Sequence, residues 1–156
     1  YECELAVVLG MDAKDVPAGQ TKDVVFGYTI LNDVSARDVQ TAHKQWYFGK
    51  SLDGFTPIGP CIVTADAFAD YPPRLGIRSF VNGEKRQDSN TALQIFDIDH
   101  VIAELSQGMT LKAGTIIATG TPAGVGMGMD PPQFLKPGDT VRCEIDGIGS
   151  LTNTVR

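Results

Sequence analysis

The first nine residues, YECELAVVL, read as a strand whose side chains alternate between two faces. Tyr1, Cys3, Leu5 and Val7 fall on one face. Glu2, Glu4, Ala6 and Val8 fall on the other, which sets two carboxylates about 7 Å apart on a segment apolar enough to be buried. Residues 11–20 read as a loop, and Thr21 to Phe26 fits a short helix with Thr21 as its cap. GYTILND, 27–33, is a second apolar strand ending in polar residues. SARDVQTAHKQW, 35–46, fits a helical turn or short helix capped by Ser35, and a strand follows at 60–64. Residues 75–90 form two alternating runs around Asn82-Gly83, a dipeptide suited to the two-residue type I′ turn. DIDHVIAELSQGMTL, 97–111, has the clearest helical period, with Asp97 or Asp99 near its cap and Gly108 past its end. GTIIATGT, 114–121, is a buried strand running into a glycine-rich loop, and a closing hairpin turns about Asp146-Gly147. Strand signals outnumber helical ones, and no repeat or linker divides residues 1–156. The predicted fold is one α+β domain, mainly β.

Composition narrows the function classes. The 156 residues suffice for one sizeable core, and 17 glycines with 9 prolines argue for frequent turns and against a helical bundle. A net charge of −6 gives no electrostatic support to a nucleic-acid or anionic-membrane partner. No apolar run approaches the roughly 18 residues of a membrane span. Cys3, Cys61 and Cys143 are scattered without zinc spacing, so they read as reduced thiols of a cytoplasmic protein. Cys61 and Cys143 are expected as small core hydrophobes, and Cys3 points away from Glu2 and Glu4. The chain opens directly on a strand that reads as central, which leads to the expectation of a further segment ahead of residue 1.

Two carboxylates on one buried face need a reason. Asp33, at the end of the second apolar strand, adds a third acid, and three carboxylates do not stay ionised together in a protected site without a cation. A hard divalent ion answers this: Mg²⁺ or Mn²⁺, with Ca²⁺ as an alternative, suits an all-carboxylate set better than Zn²⁺. Arg37 and Gln40 lie four and seven residues beyond Asp33, on one face of a helical stretch, and Lys50 sits in an aromatic-rich loop beside Trp46, Tyr47 and Phe48. With a bound metal these cations suit an anionic ligand, since arginine recognises carboxylates bidentately. Thr121 stands on a loop whose glycines permit close approach to a ligand, and the order required for a phosphate-binding P-loop is absent. His43 and His100 read as structural or solvated.

The stretches YECELAVVLG, GYTILNDVSARDVQ, GKSLDGFTPIGP, VNGEKRQDSNT, ATGTPAGVG and LKPGDTVRCEIDGIGSL stand in the order found in the fumarylacetoacetate hydrolase family. The whole chain resembles that family's C-terminal catalytic domain. The resemblance implies a mixed β-sheet roll with few short helices, a homodimer, and one Mg²⁺ or Mn²⁺ held by Glu2, Glu4 and Asp33. It gives Arg37, Gln40, Lys50 and Thr121 to the substrate side, with Arg37, Gln40 and Lys50 as the catalytic set. It also implies a water-activating His-Glu pair upstream of the metal strand, which this sequence does not contain. The expected function is metal-dependent C–C cleavage of a small 2-oxo or β-diketo acid, by acylpyruvate hydrolysis or oxaloacetate-type decarboxylation through an enolate chelated to the metal. The alternatives are an isomerase or hydratase of hydroxymuconate-like diacids, or a catalytically inactive metal-binding dimerisation module.

Overall fold

The computed structural model of the chain describes residues 1–156 apart from His43, so the expectation for that histidine lies outside the described residues. Two four-stranded sheets carry the fold. In the first, β1 (Cys3–Leu9) and β2 (Val25–Asn32) are central, flanked by β3 (Ile58–Thr64) and by the short β6 (Ile116–Ala118), in the order β3-β2-β1-β6. The second has the order β5-β4-β7-β8, from β4 (Gly76–Val81), β5 (Glu84–Asn90), β7 (Thr140–Ile145) and β8 (Gly149–Thr154). The mainly β, α+β class expected from the sequence is the class observed, and every strand pairing is antiparallel.

The period-2 pattern of β1 explains where the core sits. Its odd-numbered residues Cys3, Leu5 and Val7 join Tyr28 and Ile30 of β2 with Ile77, Val141, Cys143 and Ile145 of the second sheet in one buried cluster. Each fully buried aliphatic side chain of this kind contributes roughly 1.5–3 kcal/mol. The even-numbered face of β1 is buried as well, so β1 is interior on both sides. Glu2 and Glu4 therefore project into a protected space rather than into bulk water.

Helix α3 (Ile98–Gly108) closes the core with Ile98 and Ile102, and its cap is Asp97, whose carboxylate accepts from His100 N at 2.8 Å. Asp99 is turned to other work: it accepts from Gly19 N and from the Thr21 hydroxyl. Thr21 is thus no cap. The expected helix at 21–26 is a 3-10 turn, Thr21–Val24, and Val25 and Phe26 join β2 instead, because the β-branched and aromatic run continues the ladder opposite β1. Gly108 is the last helical residue, and Met109 takes the position after it. The hairpin about Asn82-Gly83 forms as its sequence predicts, with φ of 52° and 84° at the two turn residues. Asn82 tolerates that conformation and ties the turn to β7, accepting from Thr140 N at 2.9 Å. The closing hairpin uses three residues, Asp146 to Ile148, because Ile148 folds back into the core. Cys143 is buried, but Cys61 is exposed on β3, an edge strand with most of its residues open to solvent. Among the described residues no helix is long and apolar enough to cross a membrane.

Candidate metal centre

The end of β1, the end of β2 and two short helices converge on one spot. Asp33 N donates to Glu2 O at 2.9 Å, and Glu2 N donates to the Asn32 side chain at 3.0 Å, so the register of β1 against β2 places Asp33 beside the Glu2–Glu4 face. Carboxylate oxygens of Glu2, Glu4 and Asp33 all lie within 4.8 Å of one another. Helix α1 (Arg37–Ala42) begins four residues after Asp33 and α2 (Tyr47–Lys50) ends on Lys50. Ser35 does not cap α1; its hydroxyl donates to Asp33 O. The two helices touch where Ala36 N donates to Gly49 O at 2.9 Å. A Cβ on Gly49 would come within 2.7 Å of Gln40 N, so only glycine permits this approach.

The cations face the acids. Lys50 Nζ donates to Glu2 Oε2 at 2.8 Å and also to Asp33 Oδ2. Arg37 donates through Nη2 to Glu2 Oε1 and through Nη1 to Gln40 Oε1, the latter at 2.8 Å. Gln40, buried, thus acts by holding the plane of Arg37. Trp46, Tyr47 and Phe48 are all exposed, while the Lys50 side chain is largely buried against the carboxylates it bonds.

Charge balance separates the three acids. Burial pushes the Glu2 carboxyl up, but hydrogen bonds from Lys50 and Arg37 outweigh it and hold the group below the usual range. Burial raises Asp33 despite its bond to Lys50. Glu4 is raised furthest, to about 7, by burial and by the neighbouring carboxylates Asp33 and Glu2, against a single hydrogen bond from Gly120 N at 2.8 Å. Three acids face two cations, neither of which touches Glu4. The shortage of positive charge is centred on Glu4, and a hard divalent cation accepting one oxygen from each acid fits the set. No histidine or cysteine belongs to this cluster among the described residues, which disfavours zinc.

Thr121 lies beyond the far edge of β1. Its hydroxyl donates to Cys3 O at 2.9 Å and accepts from Gln87 Nε2 at 2.8 Å, so the loop's direct contribution to the acids is the backbone N–H of Gly120. Of the residues singled out from the sequence, the structure brings together Glu2, Glu4, Asp33, Arg37, Gln40 and Lys50, and sets Thr121, expected with them on the substrate side, apart from the acids. The sequence reading missed Asn32, Gly49, Gly120 and Gln87. His100 is exposed on α3, its ring stacked on Phe96. A cavity of about 410 Å³, lined by Val34, Phe55, Met127 and Phe134 among others, opens beside Arg37, and its lining includes none of the three acids.

Comparison with known proteins adds an independent line. The family model described as fumarylacetoacetate (FAA) hydrolase C-terminal matches residues 1–156. The oxaloacetate tautomerase YisK of Bacillus subtilis (strain 168) is 50% identical over 155 residues, a match covering 99% of this chain and 51% of that protein. The structure of fumarylacetoacetate hydrolase from psychrophilic Exiguobacterium antarcticum superposes with a TM-score of 0.96 at 51% identity, over 100% of this chain and 56% of that one. That of 5-carboxymethyl-2-hydroxymuconate delta-isomerase from Mycobacterium smegmatis gives 0.88 at 46%, over 98% and 57%. The chain spans about half the length of the curated relatives it matches.

Proposed function

The chain belongs to the fumarylacetoacetate hydrolase family, and from that premise we propose that it is the metal-binding catalytic domain of an enzyme acting on small 2-oxo acids through their enolates. The observation that carries the proposal is the cluster itself: three carboxylates within 4.8 Å, with Lys50 and Arg37 on the same oxygens. Glu2, Glu4 and Asp33 would hold Mg²⁺ or Mn²⁺, which when bound supplies a Lewis acid to polarise a 2-oxo group. Lys50 stabilises negative charge as it develops on the substrate oxygen, in a site already shielded from solvent. Arg37, fixed by Gln40, binds the substrate carboxylate and neutralises it. Gly120 N–H orients Glu4 and so fixes one side of the cation site.

Enolate chemistry leads to two outcomes. Cleavage of a C–C bond, as acylpyruvate hydrolysis or oxaloacetate-type decarboxylation, is supported by the hydrolase relative. A proton shift without cleavage is supported by the names of the tautomerase and the delta-isomerase relatives. Of these, decarboxylation asks least of the residues present, because hydrolysis needs a water-activating base, a proton shift needs a group to carry the proton, and among the described residues the acid cluster contains no histidine. A homodimer belongs to the same reading, with the exposed Ile58 and Ile62 of β3 as surface for a second copy; sedimentation at several concentrations measures it.

The test is a panel of oxaloacetate, acetylpyruvate, fumarylpyruvate and hydroxymuconate with Mn²⁺. Loss of the oxaloacetate enol absorbance without pyruvate identifies a tautomerase, and pyruvate release identifies cleavage. No turnover of any member overturns the proposal and leaves an inactive metal-binding or dimerisation module.

A further inference from the structure

Strand β6 ends at Ala118, opposite Ala6, and the chain then leaves the sheet. The start of β1, with Glu2 just ahead of it and Glu4 on it, therefore has β2 on one side and, among the described residues, no strand on the other. Its backbone groups on the open side still have to be paired, since an unpaired buried peptide group costs about 1–3 kcal/mol. Beyond the Thr119 N–H, which donates to Leu5 O at 3.3 Å, side chains take over the ladder. Thr119 Oγ1 donates to Leu5 O at 2.8 Å and Thr121 Oγ1 to Cys3 O at 2.9 Å, while Cys3 N donates to Gln87 Oε1 at 3.1 Å.

Gln87 is the odd member of β5. That strand, EKRQDSN, is polar throughout and exposed or half-buried at every other position, yet Gln87 is only 1% exposed. Its amide makes four hydrogen bonds. Oε1 accepts from Cys3 N and from Ser79 Oγ at 2.7 Å; Nε2 donates to Thr121 Oγ1 and Pro122 O, both at 2.8 Å. Every donor hydrogen and both usual acceptor sites are thereby used. One side chain from the second sheet thus grips the residue between Glu2 and Glu4, and at the same time the loop whose Gly120 N–H holds Glu4.

We propose that Gln87 is a positioning residue for the metal centre: it fixes the spacing between the Glu2–Glu4 strand and the 120–122 loop, and through both the orientation of Glu4. The inference rests on the metal reading above and extends it to a residue that touches neither metal nor substrate. Groups that hold metal ligands in place typically matter about 10–100-fold in metal affinity.

The experiment compares Gln87→Met, of similar length without hydrogen bonds, and Gln87→Glu, isosteric but without the two donors to the loop. Mn²⁺ dissociation constants are measured by calorimetry on folded protein, with the unfolding midpoint recorded alongside. Ser106→Ala is the control for lost stability alone: Ser106 is a buried residue of α3, accepting from Val16 N and donating to Ala103 O, away from the acids. Gln87→Met is expected to weaken Mn²⁺ binding at least about tenfold. Gln87→Glu is expected to weaken it less, and Ser106→Ala to lower the midpoint with binding unchanged. If either folded Gln87 variant binds Mn²⁺ like the wild type, the positioning role is wrong while the metal centre stands. If the wild type itself binds no Mn²⁺, the metal reading falls and this inference with it.

Discussion

At Glu2 and Glu4, two residues apart in the chain, burial pushes both carboxyls up, and the neighbouring cations decide which of them ends below its usual range. Glu2 is charged because Lys50 and Arg37 reach it; Glu4, which they do not reach, is raised to about 7. Metal binding requires Glu4 deprotonated, so Mn²⁺ affinity is expected to fall as pH drops through about 7, with proton release on binding. Calorimetry in buffers of different ionisation enthalpy reads that proton directly; affinity constant from pH 8 to 6 contradicts the assignment. Lys50 makes a different prediction. It neutralises two of the three acids, so Lys50→Ala removes a cation that competes with the metal, and Mn²⁺ affinity is expected to hold or rise. Turnover is expected to drop by roughly 10²-fold, as for a lost oxyanion donor. Lys50→Arg does not restore it, since the guanidinium is larger and planar. Steady-state kinetics with calorimetry separate the two effects, and wild-type turnover in Lys50→Ala rules out the role. These roles were legible in the residue types because acids, lysine and arginine carry their chemistry with them. The pairing was not: nothing in the chain between residues 2 and 50 states that Lys50 bonds both Glu2 and Asp33.

The elements that were easiest to read have a strong local cause. The Asn82-Gly83 hairpin needs two residues at positive φ, and α3 carries its own cap at Asp97. Those misread depend on distant partners. Thr21 has the chemistry of a cap, but Asp99 and Tyr71 claim its hydroxyl. Cys61 looks like core and is exposed because β3 is an edge strand, a fact of sheet order rather than of sequence. The α1–α2 contact was invisible too: Gly49 is small for the sake of Gln40, which lies nine residues earlier. Gly49→Ala is therefore expected to push the two helices apart and carry Lys50 away from Glu2 and Asp33. The expected loss in kcat/KM is at least about tenfold, the scale of a misplaced catalytic group. Activity unchanged in Gly49→Ala means that the helices have slack and the contact positions nothing.

Across the whole molecule, two sheets enclose one core, and the carboxylate cluster lies on the opposite face of β1 from that core. One face of β1 packs the core through Cys3, Leu5 and Val7, and the other presents Glu4 beside Glu2 and Asp33, so a single period-2 strand serves both. A ligand that binds the folded state alone stabilises it, by about 2.7 kcal/mol at a hundred times its dissociation constant. Mn²⁺ or Mg²⁺ is thus expected to raise the unfolding midpoint of the intact chain, and a chelator to reverse the gain. The most direct test of the account is calorimetric titration of Mn²⁺ into the wild type and into Glu4→Gln, which preserves shape and removes only the charge. One ion per chain binding to the wild type, with affinity reduced at least about 100-fold in Glu4→Gln, is the predicted result. Equal affinity in the two proteins would contradict it, because the carboxylates on β1 would then not be what holds the cation.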